Sequence, residues 1–378
     1  MQVMQNNIPF HVRIYRQTSY FLGRQLGIGT NVTDTMTSDE DLETYINGAP
    51  KMNTIHNARL SISQLFGVSI RRYSIEKILP KDVKIIKNPS NEQIEKYQKL
   101  VGGFNEIKLL KETMKDDYHL YLLCHKDSTV LSGTQSILYK SLNSSTPDFL
   151  SFGLSYQPDN TYHLLPHLMS EMASDLDAVN MNSGGCVDSK NAAVWRKVLH
   201  TKVRGLTYYV SNYKADEVFI PELEFDDVVV KKFNDVPSED VVKYDNSIFP
   251  YQRQEFLLAK FKNGIGRVAY DKSGKVIGIG LISFEESSGN CEIGPIYCDT
   301  KNAAQAIFQN ILQEMKGFNE IRVRCSDKFE DSATWIRPFL RCRHEMTPFA
   351  HVKFNRVIPD GLNLSKVFVN SNPSSAPC

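Results

Sequence analysis

The 378-residue sequence lacks several features that would assign it to a specialised class of protein. No apolar run approaches the roughly 20 residues of a membrane-spanning helix, so we expect no membrane partner. The seven cysteines are odd in number and include no C-x-x-C pair, which favours neither a disulfide framework nor a zinc ribbon. With a net charge of only +1, no electrostatic field favours nucleic acid. These absences predict a globular protein of a reducing compartment without a metal site.

Tryptophan is also scarce, and the two that occur, Trp195 and Trp335, lie in similar segments. The first segment reads N-A-A-V-W-R-K-V-L and the second D-S-A-T-W-I-R-P-F. Upstream of them, Phe152–Tyr156 (F-G-L-S-Y) corresponds to Ile293–Tyr297 (I-G-P-I-Y) at nearly the same offset. The spacing is too long for a solenoid unit of roughly 20–50 residues and suits a duplicated domain. We expect both tryptophans to anchor a final helix on each core.

Composition divides the chain into four parts. Residues 1–81 belong to neither copy and are expected to form a variable extension or packing arm. The alternative is a mitochondrial targeting segment, because two stretches are arginine-bearing and acid-free. Residues 82–221 and 222–360 are the two predicted domains. Residues 361–378 are polar and are expected to form a flexible tail. We expect a cytoplasmic location, with the mitochondrial matrix as the alternative.

Hydrophobic periodicity predicts a similar succession of elements in both domains, and the second is the clearer. There the predicted order is β-α-α-β-β-β-α-β-α-β. In the first domain, Ser90 and Gln93 form a capping box for a helix, and Pro166 must lie near the start of another. The elements expected in the second domain are strands at 228–233, 266–270, 276–284, 291–297, 321–325 and 349–354, and helices beginning at Ser238, Tyr251, Thr300 and Asp331.

This order resembles the fold of the GNAT superfamily of N-acetyltransferases. The second domain carries G-x-V-I-G-x-G at Gly274–Gly280 and I-G-P-I-Y-C-D at Ile293–Asp299, before an alanine-rich helix. The first domain, with Gly185 and Val187-Asp188 ahead of its tryptophan segment, is similar to a poorly characterised acetyltransferase-like family often found upstream of such domains. The resemblance implies an α/β fold with a mixed α+β sheet, arranged as two tandem GNAT-like acyl-CoA N-acyltransferase domains.

The resemblance also implies an acyl-CoA site in the second domain. A helix N-terminus offers unpaired amides and a favourable dipole to the pyrophosphate, and amides at the end of the preceding strand would bind the pantetheine arm and the thioester oxygen. The residues expected to contact acetyl-CoA are Ile296, Tyr297, Cys298, Asp299, Thr300, Lys301, Asn302 and Ala303. Glu292 is the expected general base. Tyr251 and Arg253 fall where this fold usually contacts the acceptor.

The predicted function is therefore transfer of acetyl from acetyl-CoA to an amine-bearing small molecule or protein, by direct attack. One departure from the family pattern keeps an alternative open. The loop from Asp299 to Ala304 contains no glycine, whereas R/Q-x-x-G-x-G/A is usual there. Asp299 would repel phosphate unless it caps the helix, and Lys301 would offset that charge. The alternative is a non-catalytic tandem protein that binds CoA or serves as an assembly module.

Overall fold

The computed structural model describes residues 78–101, 106–156, 158, 161–187, 192–285, 288–315, 317–326, 334–341 and 347–370. Nearly all of the predicted extension, and with it the possible targeting segment, lies outside these residues. Residues 75–378 form one compact unit. The division predicted between residues 221 and 222 lies inside that unit and stays a prediction. No helix in the described part of the chain is long and apolar enough to cross a bilayer.

The elements follow each other in a similar order in the first half (residues 82–221) and the second half (residues 222–370). The first half contains β1 (Val83–Lys87), α1 (Asn91–Val101), α2 (Ile107–Met114), β2 (Tyr118–His125), β3 (Val130–Tyr139), β4 (Phe149–Tyr156), α3 (Leu165–Asp175), β5 (Asn182–Val187), α4 (Ala192–Leu199) and β6 (Val203–Lys214). The second half contains β7 (Val229–Lys232), α5 (Ser238–Asn246), α6 (Gln254–Lys262), β8 (Ile265–Tyr270), β9 (Val276–Glu285), β10 (Asn290–Cys298), α7 (Lys301–Glu314), β11 (Glu320–Ser326), β12 (Thr347–Phe354) and β13 (Val367–Val369).

Local sequence signals explain where several of these elements begin. The capping box before α1 is confirmed, because the Gln93 amide donates to Ser90 Oγ and the Ser90 amide donates to the Gln93 side chain. Pro166 lies in the first turn of α3, where its missing amide costs no hydrogen bond. The β8–β9 hairpin turns at Gly274, whose φ of +84° favours glycine.

Two predicted helix features differ from the structure. Ser238 is the first residue of α5 and its side chain makes no cap, because the N-cap position is taken by Pro237. The helix predicted from Asp331 is, in its described part, a set of turns followed by a 3-10 turn at Arg337–Phe339. Pro338 lies in that turn and has no amide to continue a regular helix.

The thirteen strands of the described residues form one sheet, in which the two halves exchange their final long strands. The order is β1-β2-β3-β4-β5-β12-β6-β11-β10-β9-β8-β7, and β13 pairs with β10. Strand β6 of the first half pairs with β11 of the second along the whole of β11, while β12 of the second half pairs with β5 of the first. Strands β6 and β12 also pair with each other at the centre. Each half therefore completes the sheet of the other.

Equivalent irregularities occur in the fourth strand of each half. Between Phe152 and Ser155, β4 contains one residue more than its partner β3, and β10 contains the same extra residue between Ile293 and Ile296, opposite β9. Such bulges bend a strand and redirect its side chains. The two bulges fall in the matching segments F-G-L-S-Y and I-G-P-I-Y, so the sequence match corresponds to a match in backbone structure.

Both tryptophans are core residues, as predicted. Trp195 on α4 packs edge-on against Phe152 at 5.7 Å between ring centroids, and it is 3% exposed. Trp335 packs edge-on against Phe308 of α7 at 5.5 Å and is fully buried. Each ring therefore fixes the segment after the fifth strand of its half onto the core.

The strand exchange predicts that neither half folds alone. A fragment of residues 222–378 lacks β6 and exposes the edge of β11, and a fragment of residues 75–221 lacks β12 and exposes the edge of β5. We expect each fragment to aggregate or remain unfolded by circular dichroism, and the two to form a soluble complex when co-expressed. A monomeric fragment 222–378 with a cooperative thermal transition would contradict this.

Candidate functional site

The candidate site begins where strands β10 and β11 separate. They pair in parallel only at Asn290–Glu320, Cys291–Ile321 and Glu292–Arg322. Beyond Glu292 the pairing of β10 with β11 ends, while β10 bulges and continues to pair with β9 along its opposite edge. A channel therefore opens between β10 and β11. The first half has the same geometry, because β4 and β5 stop pairing after Phe152–Gly185.

Glu292, the predicted general base, lies at the closed end of this channel and is 5% exposed. Its Oε1 accepts a hydrogen bond from Nη1 of Arg324 on β11. Its second oxygen, Oε2, is buried and accepts no hydrogen bond from any described residue. The position that corresponds to Glu292 in the first half is Ser151, which pairs with Gly184 on β5 as Glu292 pairs with Arg322 on β11. Of these two corresponding strand positions, only the one in the second half carries a carboxylate.

A cavity of about 460 Å³ lies against Glu292 and is lined by residues of both halves. The charged residues of its lining are four carboxylates and two lysines, namely Glu106, Glu112, Glu285, Glu292, Lys108 and Lys260. Lys260 compensates Glu106 with a contact of 2.5 Å to Oε1. Glu106 Oε2 is nevertheless buried without a donor among the described residues, as Glu292 Oε2 is. Two carboxylates, one from each half, therefore line one cavity, and each has a buried oxygen without a donor among the described residues.

The N-terminus of α7 lies at the other end of the channel. Thr300 is the N-cap, and its Oγ1 accepts the Ala303 amide at 3.2 Å, so Asp299 does not cap the helix. The Asp299 carboxylate instead accepts the Tyr244 hydroxyl at 2.8 Å and contacts Lys366 Nζ at 2.8 Å. Of the predicted phosphate contacts, Thr300 and Asn302 are exposed, whereas Ala303 is buried. Lys301 Nζ donates to Thr334 Oγ1 at 3.4 Å.

The amide-bearing edge of β10 is covered by the chain's own C-terminal segment. The predicted pantetheine contacts, Ile296 and Tyr297, pair with Val369 and Val367 of β13. The Asn370 amide then donates to the Arg324 carbonyl of β11 at 3.0 Å. Residues 361–370 were expected to belong to a flexible tail, but 367–370 are buried between the two strands. The apolar run V-F-V explains the difference, because two separated strand edges give it both hydrogen bonds and burial.

The two predicted acceptor contacts lie in the protein interior instead. Tyr251 is fully buried and packs against Tyr139 and Phe149 of the first half. Arg253 is 3% exposed and makes a bidentate ion pair with Asp245, at 2.9 Å and 2.5 Å. Burial alone would lower the pKa of Arg253, but the Asp245 carboxylate outweighs burial and raises it. We therefore do not retain Tyr251 and Arg253 as acceptor-binding residues.

Comparison with known proteins agrees with this geometry. Residues 241–339 match the sequence model of the family described as "Acetyltransferase (GNAT) domain", and residues 80–248 match a "Protein of unknown function (DUF1248)". The second half contains a GNAT domain. No curated protein matches the chain.

Several solved structures are similar to the chain at low sequence identity. A putative acetyltransferase from Pyrococcus horikoshii has a TM-score of 0.57 and 14% identity, with 81% of this chain and 100% of that chain covered. A GCN5-related N-acetyltransferase from Sphaerobacter thermophilus has a TM-score of 0.46 and 13% identity, with 73% and 96% covered. A tandem GNAT protein from the clavulanic acid biosynthesis pathway has a TM-score of 0.48 and 9% identity, with 72% and 97% covered. At 14% identity, the likeness to the Pyrococcus horikoshii structure indicates the fold alone.

Three features of the GNAT domain site were not predicted from sequence. Arg324 lies in the alternating run I-R-V-R-C, which is equally typical of a strand with a solvated face. Glu106 comes from the other half and lies next to residues outside the described part. The apolar run Val367–Val369 was a usable strand signal within a polar tail.

Cys298, at the end of β10 in the GNAT domain, is a packing residue. It is fully buried, and its Sγ lies where a Cβ added to Gly278 would meet it at 2.7 Å. Burial, followed by the nearby Asp299 carboxylate, raises the pKa of the Cys298 thiol well above its ordinary value. The raised pKa lowers the thiolate fraction at any given pH, so a nucleophilic role has no support.

We expect Cys298 to resist alkylation in the native protein. Iodoacetamide at mildly alkaline pH should leave the Cys298 peptide unmodified, because the thiol is both buried and protonated, whereas the same treatment in denaturant should modify it fully. Peptide mass spectrometry measures both fractions. Rapid native labelling at Cys298 would contradict the packing role.

Proposed function

We propose that this protein is an acyl-CoA-dependent N-acyltransferase, with acetyl-CoA as the donor and an amine-bearing small molecule or protein as the acceptor. The observation that carries the proposal is the buried Glu292 carboxylate, which has one oxygen held by Arg324 and the other facing no donor in the described residues. It lies where β10 and β11 separate in a domain of GNAT type. A cytoplasmic location, with the mitochondrial matrix as the alternative, remains an expectation.

The cavity beside Glu292 supports an amine as the acceptor. An unprotonated amine is the nucleophile, but most alkylamines enter a protein as ammonium ions. Glu106 Oε2 and Glu292 Oε2 are both buried without donors among the described residues, and an ammonium group supplies the donors and the positive charge that they lack. We propose that the acceptor head group binds in this cavity, beside the Glu106 and Glu292 carboxylates.

The proposed reaction is a direct acyl transfer. Glu292 Oε2 accepts a proton from the bound ammonium, and the amine nitrogen then attacks the thioester carbonyl carbon. The C–N bond forms, the C–S bond breaks, and the leaving thiolate takes up the second proton that the attacking nitrogen loses. Glu292 then releases the first proton to solvent. Arg324 holds Glu292 in place and compensates its charge before proton transfer. The products are an amide and free CoA.

The N-terminus of α7 suits the pyrophosphate of the donor. Thr300 and Asn302 are exposed in its first turn, and the helix dipole favours an anion there. Lys275 Nζ lies 4.0 Å from the Asp299 carboxylate beside this turn. This cation offsets the negative charge of Asp299, which would otherwise repel the phosphates.

One observation favours a second candidate function. Strand β13 fills the channel between β10 and β11 along the edge where the pantetheine arm would pair. If that arrangement is permanent, the second half takes no acyl donor and the protein is a non-catalytic tandem that serves as a binding or assembly module. Acyl-CoA binding separates the two candidates.

Replacement of Glu292 tests the proposed base. Glu292→Gln keeps the shape but cannot accept the proton, so we expect kcat for acetyl transfer to a primary amine to fall by about 10²–10⁴-fold. Glu106→Gln removes one acceptor contact and should mainly raise KM for the amine. Release of the CoA thiol measures both. The matched control is Glu239→Gln on the exposed surface of α5, and equal kcat for Glu292→Gln and Glu239→Gln would refute the assignment.

A charge change in the first turn of α7 tests the donor site. Asn302→Glu adds a negative charge beside the proposed pyrophosphate position without burying it, so we expect acetyl-CoA affinity to fall by about 10-fold, as a repulsion of about 1.4 kcal/mol gives. Gln313→Glu makes the same charge change in the last turn of α7 and should bind as the parent does. Calorimetry measures both, and identical affinities would exclude this helix as the phosphate site.

A further inference from the structure

We propose that residues 363–370 are an internal inhibitor that occupies the acyl-CoA channel of the second half, so that this segment and an acyl-CoA thioester exclude each other. The inference rests on the proposed function of that half. It concerns what controls access to the site, and it holds whichever amine is the acceptor.

The segment follows the path that an acyl-CoA arm would take. Strand β13 is antiparallel to β10, with Val367 opposite Tyr297 and Val369 opposite Ile296. The chain therefore enters near Asp299, at the N-terminus of α7, and runs toward Glu292. A pantetheine arm is likewise an extended chain with amide groups, fixed by its pyrophosphate at the helix and carrying its thioester toward the base.

The segment uses backbone groups on both walls of the channel. On one side β13 pairs with β10. On the other side the Asn370 amide donates to the Arg324 carbonyl of β11 at 3.0 Å, and the Asn370 side chain donates to the Tyr208 hydroxyl of β6. Adjacent strands lie about 4.8 Å apart, so a channel that holds one strand between β10 and β11 has no room for a second extended chain.

Side chains of the segment fill the faces of the channel as well. Val367 packs in the buried cluster around Tyr297 and α5–α6. Phe368 and Val369 pack in the opposite cluster around α7, where the Phe368 ring lies 6.4 Å from that of Trp335. Val367, Phe368, Val369 and Asn370 are each no more than 3% exposed. Departure of the segment would therefore open space on both faces of the sheet.

An ion pair holds the end of the segment that lies near α7. Lys366 Nζ contacts Asp299 Oδ1 at 2.8 Å and lies 5.3 Å from the centre of the Tyr244 ring. Asp299 and Lys366 are both partly exposed, with about a quarter of each side chain accessible. A pyrophosphate at the first turn of α7 would compete with Asp299 for Lys366. Donor binding and loosening of the segment would thus begin at the same place.

Two truncations test mutual exclusion. A chain that ends at Gly361 lacks the whole segment, whereas a chain that ends at Asn370 keeps β13 and is the matched control. By calorimetry, we expect the first to bind acetyl-CoA at least about 10-fold more tightly than the full chain, and the second to bind as the full chain does. A synthetic peptide of residues 362–378 should reverse the gain. Equal affinities of the folded full and Gly361-ended chains would overturn the inference.

A reversible lock tests the same point without removing buried residues. The paired positions Ile296 and Val369 lie within the Cα separation that a disulfide spans, so Ile296→Cys with Val369→Cys should fix β13 when oxidised. We expect acetyl-CoA binding to be lost on oxidation and restored by reduction, with Val369→Cys alone unaffected by oxidation. Unchanged binding in the oxidised double variant would overturn the inference and leave the proposed function standing.

Absence of acetyl-CoA binding to every form, the Gly361-ended chain included, would instead refute the donor site and both proposals with it.

Discussion

The pairing of β6 with β11 and of β12 with β5 is the constraint on which the rest of the structure depends. Because the last long strand of each half pairs with a strand of the other half, the sheet is continuous. The splits between β4 and β5 and between β10 and β11 therefore have fixed positions in it. The same exchange brings α1 and α2 of the first half to the cavity beside Glu292. Glu106 and Glu292 come from different halves, so the candidate acceptor site exists only in the joined chain.

The two halves have the same strand arrangement and differ in the residues that occupy the split between their strands. Both have a bulge in the fourth strand and a split after it. In the second half the split holds the Glu292–Arg324 pair and is filled by β13. In the first half Ser151 takes the corresponding place, and in the described residues β4 pairs only with β3 and β5. A buried ion pair is costly unless its charges are well satisfied, so an incompletely bonded Glu292 suggests selection for function.

Sequence patterns predicted the parts of the fold that local chemistry controls. Alternation identified most strands, and Ser90 with Gln93 identified the start of α1, because those signals act over a few residues. Strand β5, the glycine-containing N-S-G-G-C-V, was not predicted, since its stability comes from pairing rather than from propensity. Helix α2 was also not predicted, although its residues I-K-L-L-K-E-T-M are mostly good helix formers with apolar residues at helical spacing. The burial of Arg253 could not be predicted from sequence either, because the tertiary fold brings its partner Asp245 and the surrounding aromatic rings together.

The sequence by itself indicated an α/β fold with a GNAT-like second half, and it led to the predictions of a duplication and of Glu292 as the base. Repeats, periodicity and family resemblance carry that information because they are local properties of the chain. Only the tertiary structure decided that the halves exchange strands, that Arg324 meets Glu292, and that the C-terminal segment occupies the channel at Ile296 and Tyr297. These contacts join residues distant in sequence, and their energies depend on burial and strand pairing that exist only once the sheet has formed.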